Sequence, residues 1–304
     1  MKVVVTGATG MIGGALVEAL VERGDVVTAL SRSPDSAARK LGVEVVAWRD
    51  PLSEPAPVEA LRGRNAVVHL AGAPVAQRWT EDARRDIRDS RVLGTRNLVA
   101  GLAALPGPER PATLVSQSGS GWYGARGDER LDESGPAGGD FLAQVTSAWE
   151  AEARRAEELG VRVVTTRTGV VLAESGGALE KMLPPFKLGV GGPVAGGRQY
   201  VPWVHLDDVL GAILFCLDTP AATGPVNVAA PEPVTNRELS HALGRVLRRP
   251  AVAPVPGLAV KLLYGEMAQV VTTGQRAVPA RLLELGYEFR RPDLEDALRD
   301  ATSG

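Results

Sequence analysis

Residues 3–13 read Val3-Val4-Val5-Thr6-Gly7-Ala8-Thr9-Gly10-Met11-Ile12-Gly13, with glycine at every third position after a β-branched run. That spacing has a definite chemical use. Gly7 permits a tight turn out of a strand. Gly10 has no Cβ, so a pyrophosphate can approach the backbone, and Gly13 lets the following helix pack close to the strand. The unbonded N–H groups that open the helix then meet the phosphate at its positive end. Because a strand precedes the glycines and a helix follows, the segment predicts a dinucleotide site built from Gly7, Thr9, Gly10, Met11, Ile12 and Gly13.

The end of the second strand selects among dinucleotides. An acidic residue there would accept from the ribose hydroxyls of NAD. This chain has Ser31, Arg32 and Ser33 instead. Two hydroxyls and a guanidinium suit a 2′-phosphate, since arginine makes bidentate, charge-assisted bonds to it. The expected cofactor is therefore NADP(H). Further on, Gln77 follows the fourth strand, and Lys187, Arg198 and Trp203 flank a glycine-rich stretch (Gly189 to Gly197). These four could contact a polar or anionic substrate. His205 with Asp207 and Asp208 could suggest acid–base work. The simpler expectation is a helix entry, with Asp207 as its cap and His205 orienting the turn.

Such residues need a scaffold, and the composition allows one. The chain has 304 residues, 44% hydrophobic and 23% charged, enough for one large core or two unequal ones. A net charge of −2 points to neither nucleic acid nor an anionic membrane as partner. Cys216 is the only cysteine, so no disulfide can form within the chain. Its apolar surroundings read as a buried thiol in a reducing compartment. The three histidines lie far apart, and no His/Cys cluster has metal-ligand spacing. Glycines and two glutamates interrupt the apolar N-terminus, which does not read as a signal peptide. With no long uncharged run, a cytoplasmic location is the expectation.

Short apolar runs at 2–5, 26–30, 43–48, 66–70, 113–116 and 162–166 alternate with helical patterns at 13–22, 37–41, 58–61, 81–102 and 141–159. Parallel strands need helical crossovers, so this alternation predicts an α/β fold, a Rossmann-like doubly wound parallel sheet. Residues 1–171 would form the dinucleotide-binding domain, with a later strand and helix contributed from about 200–230. Residues 172–304 would form a smaller, mostly helical substrate or partner region, with helices at 207–217, 236–247 (capped by Thr235 or Asn236), 258–271, 279–285 and 294–301.

Thr6 to Gly13, His69-Leu70-Ala71-Gly72, Ser90-Arg91-Val92-Leu93-Gly94-Thr95-Arg96-Asn97-Leu98 and Trp203-Val204-His205-Leu206-Asp207-Asp208 together resemble the extended short-chain dehydrogenases/reductases, the NAD(P)-dependent epimerase/dehydratase group. A narrower likeness runs nearly end to end. Gly191-Gly192-Pro193, Gly224-Pro225-Val226-Asn227, Ala230 to Asn236 and the tail from Gly265 to Phe289 resemble its atypical members, which carry an extra C-terminal segment. The resemblance implies that Leu70, Ala71 and Gly72 also line the cofactor. It further implies a catalytic serine before Tyr123-Gly124. Ser118 fits first, with Ser120 and Ser116 as alternatives, and Tyr123 could donate a proton.

One departure stands out. The larger group uses a tyrosine with a lysine four residues later: the lysine lowers the tyrosine pKa, and the tyrosine moves a proton as hydride moves. No tyrosine here has that partner, and the expected helix offers Leu142 and Thr146 on one alignment, Gln144 and Ala148 on another. Three functions follow as expectations. One is an NADP(H)-dependent oxidoreductase or epimerase-like enzyme for a small polar substrate. The second is a nucleotide-binding sensor without turnover. The third is a partner protein whose C-terminal segment docks another chain, with a homodimer as one arrangement.

Overall fold

Val3, Val4 and Val5 are fully buried, as a strand flanked on both faces by helices must be. In the computed structural model, which describes residues 1–174 and 176–303, they form an interior strand of a seven-stranded parallel sheet. The strands are β1 (Lys2–Thr6), β2 (Val26–Ser31), β3 (Glu44–Ala47), β4 (Ala66–His69), β5 (Thr113–Gly119), β6 (Arg162–Thr168) and β7 (Gly224–Val228). Their order is β7-β6-β5-β4-β1-β2-β3. The winding reverses between β1 and β4, and the crevice outside the carboxyl ends of such strands is where open α/β sheets bind ligands.

Helices cover both faces. Leu16 and Leu20 of α1 (Met11–Glu22) and Val209 and Ile213 of α7 (Leu206–Asp218) pack with Val3, Val5 and Val68 on one face. On the other, Ala60 and Leu61 of α3 (Val58–Leu61) and Leu98 and Leu102 of α4 (Glu81–Ala103) pack with Val4, Val67 and Leu114. α2 (Pro34–Leu41) lies at the β3 end, and α5 (Phe141–Arg154) runs beside α4. A third core holds Leu179 and Phe186 of α6 (Gly177–Lys187), Trp203, Leu239 and Leu243 of α8 (Asn236–Leu247), and Leu298 of α12 (Leu294–Asp300). Leu282, from α11 (Ala280–Glu284), and Tyr287 join the first core, so the C-terminal region is built into the sheet domain's interior.

Several boundaries differ from the sequence pattern. The strand expected to stop at Ser116 continues to Gly119, and α5 tightens into a 3₁₀ turn at Arg155–Leu159. The helix expected over 258–271 breaks at Gly265, whose φ of +62° starts a turn between α9 (Gly257–Tyr264) and α10 (Ala268–Thr272). α6 was unexpected because it contains Pro184 and Pro185. Both lie within the helix, where each removes a backbone N–H from the i→i−4 ladder. Thr235 caps α8 in a capping box with Glu238, as expected.

The α7 entry corrects one expectation. Its cap is His205, whose Nδ1 accepts from the Asp207 N–H at 3.2 Å; Asp207 is not the cap. Asp208, with no exposed surface, accepts from the backbone N–H groups of Arg290 (2.7 Å) and Arg291 (2.9 Å) and from the Tyr287 hydroxyl (3.1 Å). A buried carboxylate persists only when so satisfied. His205, Asp207 and Asp300 are the one metal-like grouping among the described residues, yet Arg291 contacts both carboxylates and the His205 Nδ1 lone pair is taken. Among the described residues, no helix is long and apolar enough to cross a membrane.

Candidate functional site

The three glycines occupy three different environments. A Cβ on Gly7, whose φ is +66°, would lie 2.7 Å from the Leu70 carbonyl carbon and 2.8 Å from the Ala71 nitrogen. Gly7 therefore lets the first loop lie directly on the Leu70–Ala71 backbone. A Cβ on Gly13 would sit 2.2 Å from the Gly7 oxygen, so helix and turn are in contact there. At Gly10 the nearest atom would be that same oxygen at 3.3 Å, and the other side is open. Gly10 caps α1 without a side-chain bond, no acid lies in the first turn, and the first helical bond runs from Gly14 N to Gly10 O. The N–H groups of Met11, Ile12 and Gly13 thus precede the helical ladder, at the positive end of the helix. The loop fits a pyrophosphate.

Ser31 and Arg32 stand beside this loop because β2 pairs with β1 through Thr6 opposite Leu30. Ser31 Oγ accepts from the Ser33 N–H at 3.1 Å, which shapes the turn, and Arg32 is exposed. Ser33 serves as the residue before α2, with Pro34 at its first position. A further cation had escaped notice in the sequence. Lys40, on α2, reaches back to donate to the Thr9 carbonyl at 2.8 Å. Its signal was one helical turn of basic residues (Arg39, Lys40) after the Ser31-Arg32-Ser33 turn, indistinguishable from an ordinary solvated face.

The Leu70–Gly72 loop is held from beneath. Thr6 Oγ1 accepts from the N–H groups of Leu70 (3.2 Å) and Ala71 (3.3 Å), so its own proton goes to His69 Nδ1 at 2.7 Å. His69 Nε2 then donates to Thr95 Oγ1 at 2.9 Å. Burial pushes the His69 pKa down to about 4, so the imidazole is neutral. From α4, Ser90 Oγ accepts from the Ala73 N–H, and Arg91 donates to the Ala73 and Ile87 carbonyls. The Arg91 guanidinium also lies 5.1 Å from the Trp149 ring and comes up against Gly72, where a Cβ would lie 3.1 Å from Cζ. The Ser90 to Leu98 stretch thus supports the Leu70–Ala73 loop.

Ser118 and Tyr123 do not line a cleft, which corrects their assignment as catalytic groups. Ser118 donates to Glu150 Oε1 at 2.7 Å, and Arg167 makes a bidentate pair with the same carboxylate (2.9 and 3.0 Å). Both ions are 3% exposed. Arg167 also donates to the Tyr123 oxygen at 3.2 Å and lies 3.8 Å over the Trp122 ring. The Tyr123 hydroxyl has Asn227 Oδ1 (2.8 Å) and the Asp132 carbonyl (2.9 Å) as acceptors for its one proton. Burial raises the Tyr123 pKa, with Arg167 partly offsetting it. These hydroxyls are spent on a closed network joining β5, β6, β7 and α5. Ser116 is fully buried, and Ser120 opens a 3₁₀ turn.

On α5, Thr146 donates to the Leu142 and Ala143 carbonyls, and Leu142 packs against Gly121. Neither can carry or tune a proton. Among the substrate candidates, Trp203 is corrected: it is 1% exposed in the third core, with Nε1 donating to the Glu232 carbonyl. Gln77 spends its amide on the Pro74 carbonyl at 2.7 Å. Lys187, in the last turn of α6, and Arg198, after the glycine-rich stretch, are both exposed and are not brought together with the glycine loop by any bond.

A doubly wound sheet with this glycine loop defines a dinucleotide-binding protein. The family model described as NAD dependent epimerase/dehydratase family matches residues 3–229, and a domain of unknown function (DUF1731) matches 255–301. The chain belongs to the NAD-dependent epimerase/dehydratase family. It is 40% identical over 299 residues to the Arabidopsis thaliana chloroplastic homolog of epimerase family protein SDR39U1, covering 98% of this chain and 86% of that one. An epimerase family protein of Mycobacterium bovis is 38% identical over 303 residues, covering 99% and 97%. The crystal structure of human epimerase family protein SDR39U1 (isoform 2) with NADPH superposes with a TM-score of 0.88 at 33% identity, covering 100% of this chain and 99% of that one.

Proposed function

We propose that this protein is an NADP(H)-binding oxidoreductase or epimerase-type enzyme for a small polar substrate, working without a Tyr–Lys pair. The observation that carries this reading is the open side of Gly10 at an uncapped helix start, with Arg32 and Lys40 on the flanking turn and helix. Met11, Ile12 and Gly13 N–H groups would hold the pyrophosphate, and Arg32 with Lys40 would face a 2′-phosphate. The human relative crystallised with NADPH supports the same choice. The bound cofactor would supply hydride transfer; the chain supplies binding, orientation and the floor formed by Leu70–Gly72. Calorimetric titration tests this directly. NADPH should bind at least tenfold more tightly than NADH; equal affinities would refute the preference.

A second reading, a cofactor-binding sensor with little turnover, is favoured by one specific observation. The hydroxyls expected first for acid–base work, on Ser118 and Tyr123, are enclosed. Losing such assistance typically costs about a hundredfold to ten-thousandfold in rate. Common nucleotide sugars assayed at the nicotinamide absorbance band separate the readings. The enzyme reading expects slow turnover that survives Ser118→Ala and Tyr123→Phe. No turnover on any substrate, with intact NADPH binding, favours the sensor.

A further inference from the structure

One surface of the C-terminal region combines bare aliphatic side chains with cations that have no acid partner. Residues 189–195 lie along residues 250–257. Val194 pairs with Val255 in a parallel bridge, the Val255 N–H donates to the Pro193 carbonyl at 2.9 Å, and a Cβ on Gly189 would lie 3.6 Å from the Pro250 ring. α9 begins directly after this ribbon, at Gly257. On these adjoining segments Leu188, Val190, Val252, Leu258, Leu262 and Leu263 are each 59–79% exposed. Leu258 and Leu262 stand one turn apart on the outer face of α9, whereas Val260 is buried on its inner face. Soluble proteins rarely leave so many large aliphatic groups bare in neighbouring segments unless something covers them.

Charge around this surface has one sign. Residues 181–206 carry three lysines or arginines and residues 239–265 carry four, and neither stretch contains an aspartate or glutamate. The net charge of −2 conceals that asymmetry. Where α8 ends, a cleft of about 450 Å³ is lined by His241, Arg245, Arg248 and Arg249 and extends to Val252 of the apolar patch. Arg245 is engaged by Glu295 at 2.6 Å, but among the described residues Lys187, Arg248, Arg249 and Lys261 make no ion pair. Arg248 takes the left-handed cap of α8 at a φ of +53°, a position that glycine fills at lower cost. That strained cap sets two unpaired arginines at the cleft beside the exposed aliphatic groups. A second copy of the chain, meeting this face with the same face, would set unpaired cations against one another. A bilayer rich in anionic phospholipid meets both halves of the surface: acyl chains receive the aliphatic side chains, and phosphates receive the arginines and lysines.

We propose that this face docks on an anionic phospholipid surface, with α9 lying at the headgroup boundary and the cleft at Arg248 and Arg249 receiving a lipid phosphate. The test is co-flotation of the full chain with vesicles of phosphatidylcholine alone and with vesicles of equimolar phosphatidylcholine and phosphatidylglycerol. The chain should float with the mixed vesicles, stay in solution beside the neutral ones, and be released by high salt, because screening weakens the phosphate contacts. Arg248→Glu combined with Arg249→Glu should weaken the partition about tenfold. Leu258→Ser combined with Leu262→Ser should weaken it about tenfold as well, although no charge changes. Both pairs are exposed, so the melting temperature of each double variant should match that of the parent chain. Flotation with neither vesicle, equal flotation with both, or flotation unaltered by either double variant overturns the proposal. Sedimentation equilibrium separates the other occupant. Self-association that Leu258→Ser with Leu262→Ser abolishes, in a chain that ignores the mixed vesicles, assigns the face to a second copy and overturns the lipid assignment.

Discussion

Thr6 and His69 are register partners on neighbouring strands, and the hydrogen bond between their side chains fixes which imidazole nitrogen carries the proton. The consequence is an acid sensitivity. An exposed histidine titrates near 6.5, whereas burial holds folded His69 near 4. Below pH 6.5 the unfolded chain takes up a proton that the folded chain refuses. The stability from neutral His69 is therefore complete above 6.5 and is lost as pH falls through about 4, amounting to about 3 kcal/mol in all. Urea unfolding at pH 7.5, 5.5 and 4.5 measures it. His69→Gln should flatten that part of the profile, and an unchanged slope would contradict the assignment.

The glycine loop predicts two unlike mutants. Gly10→Val fills the open side, so dinucleotide binding should vanish while the melting temperature changes little. Gly13→Ala drives a methyl into the Gly7 carbonyl and should destabilise the fold by about 1–3 kcal/mol. Calorimetry and thermal melts on both variants check the contrast; a folded Gly10→Val that still binds the dinucleotide would place the phosphate elsewhere.

Cofactor preference should divide between two cations. Arg32→Ala and Lys40→Ala are each expected to weaken NADPH binding about tenfold and to leave NADH binding nearly unchanged, since each removes a charge-assisted contact to one phosphate. Parallel losses for both nucleotides would place these side chains away from the 2′ position.

The Glu150–Arg167 pair should behave as a unit. Removing one partner strands a buried charge and costs about 3–5 kcal/mol, whereas replacing both with apolar residues can be nearly neutral. Glu150→Leu and Arg167→Met should each lower stability sharply, and the double variant should recover much of it. Chemical denaturation provides the measurement, and additive losses would count against the pairing.

Much of this arrangement was legible in the chain. The valine run, the glycine spacing and the strand–helix alternation fix β1, α1 and the sheet through local periodicity alone. Thr235 and Glu238 announced their capping box in the same way. What escaped depends on contacts distant in sequence. Ser118 and Glu150 lie on different elements, and Tyr123 meets Asn227 across 104 positions. A serine at a strand end looks identical whether it faces a substrate or a buried carboxylate. Trp203 misled for a similar reason: the glycine-rich stretch before it suggested a surface, while its ring belongs to a core completed by α8 and α12.

The Asp208 contacts to Tyr287, Arg290 and Arg291 also constrain the order in which this protein can be made. Until residue 291 has left the ribosome, the Asp208 carboxylate has none of these donors and the first core lacks Leu282 and Tyr287. The sheet can assemble as its strands emerge, but its closing partners are synthesised roughly eighty residues after the helix they seal. During that interval the nascent chain carries an open apolar face and an unsatisfied acid.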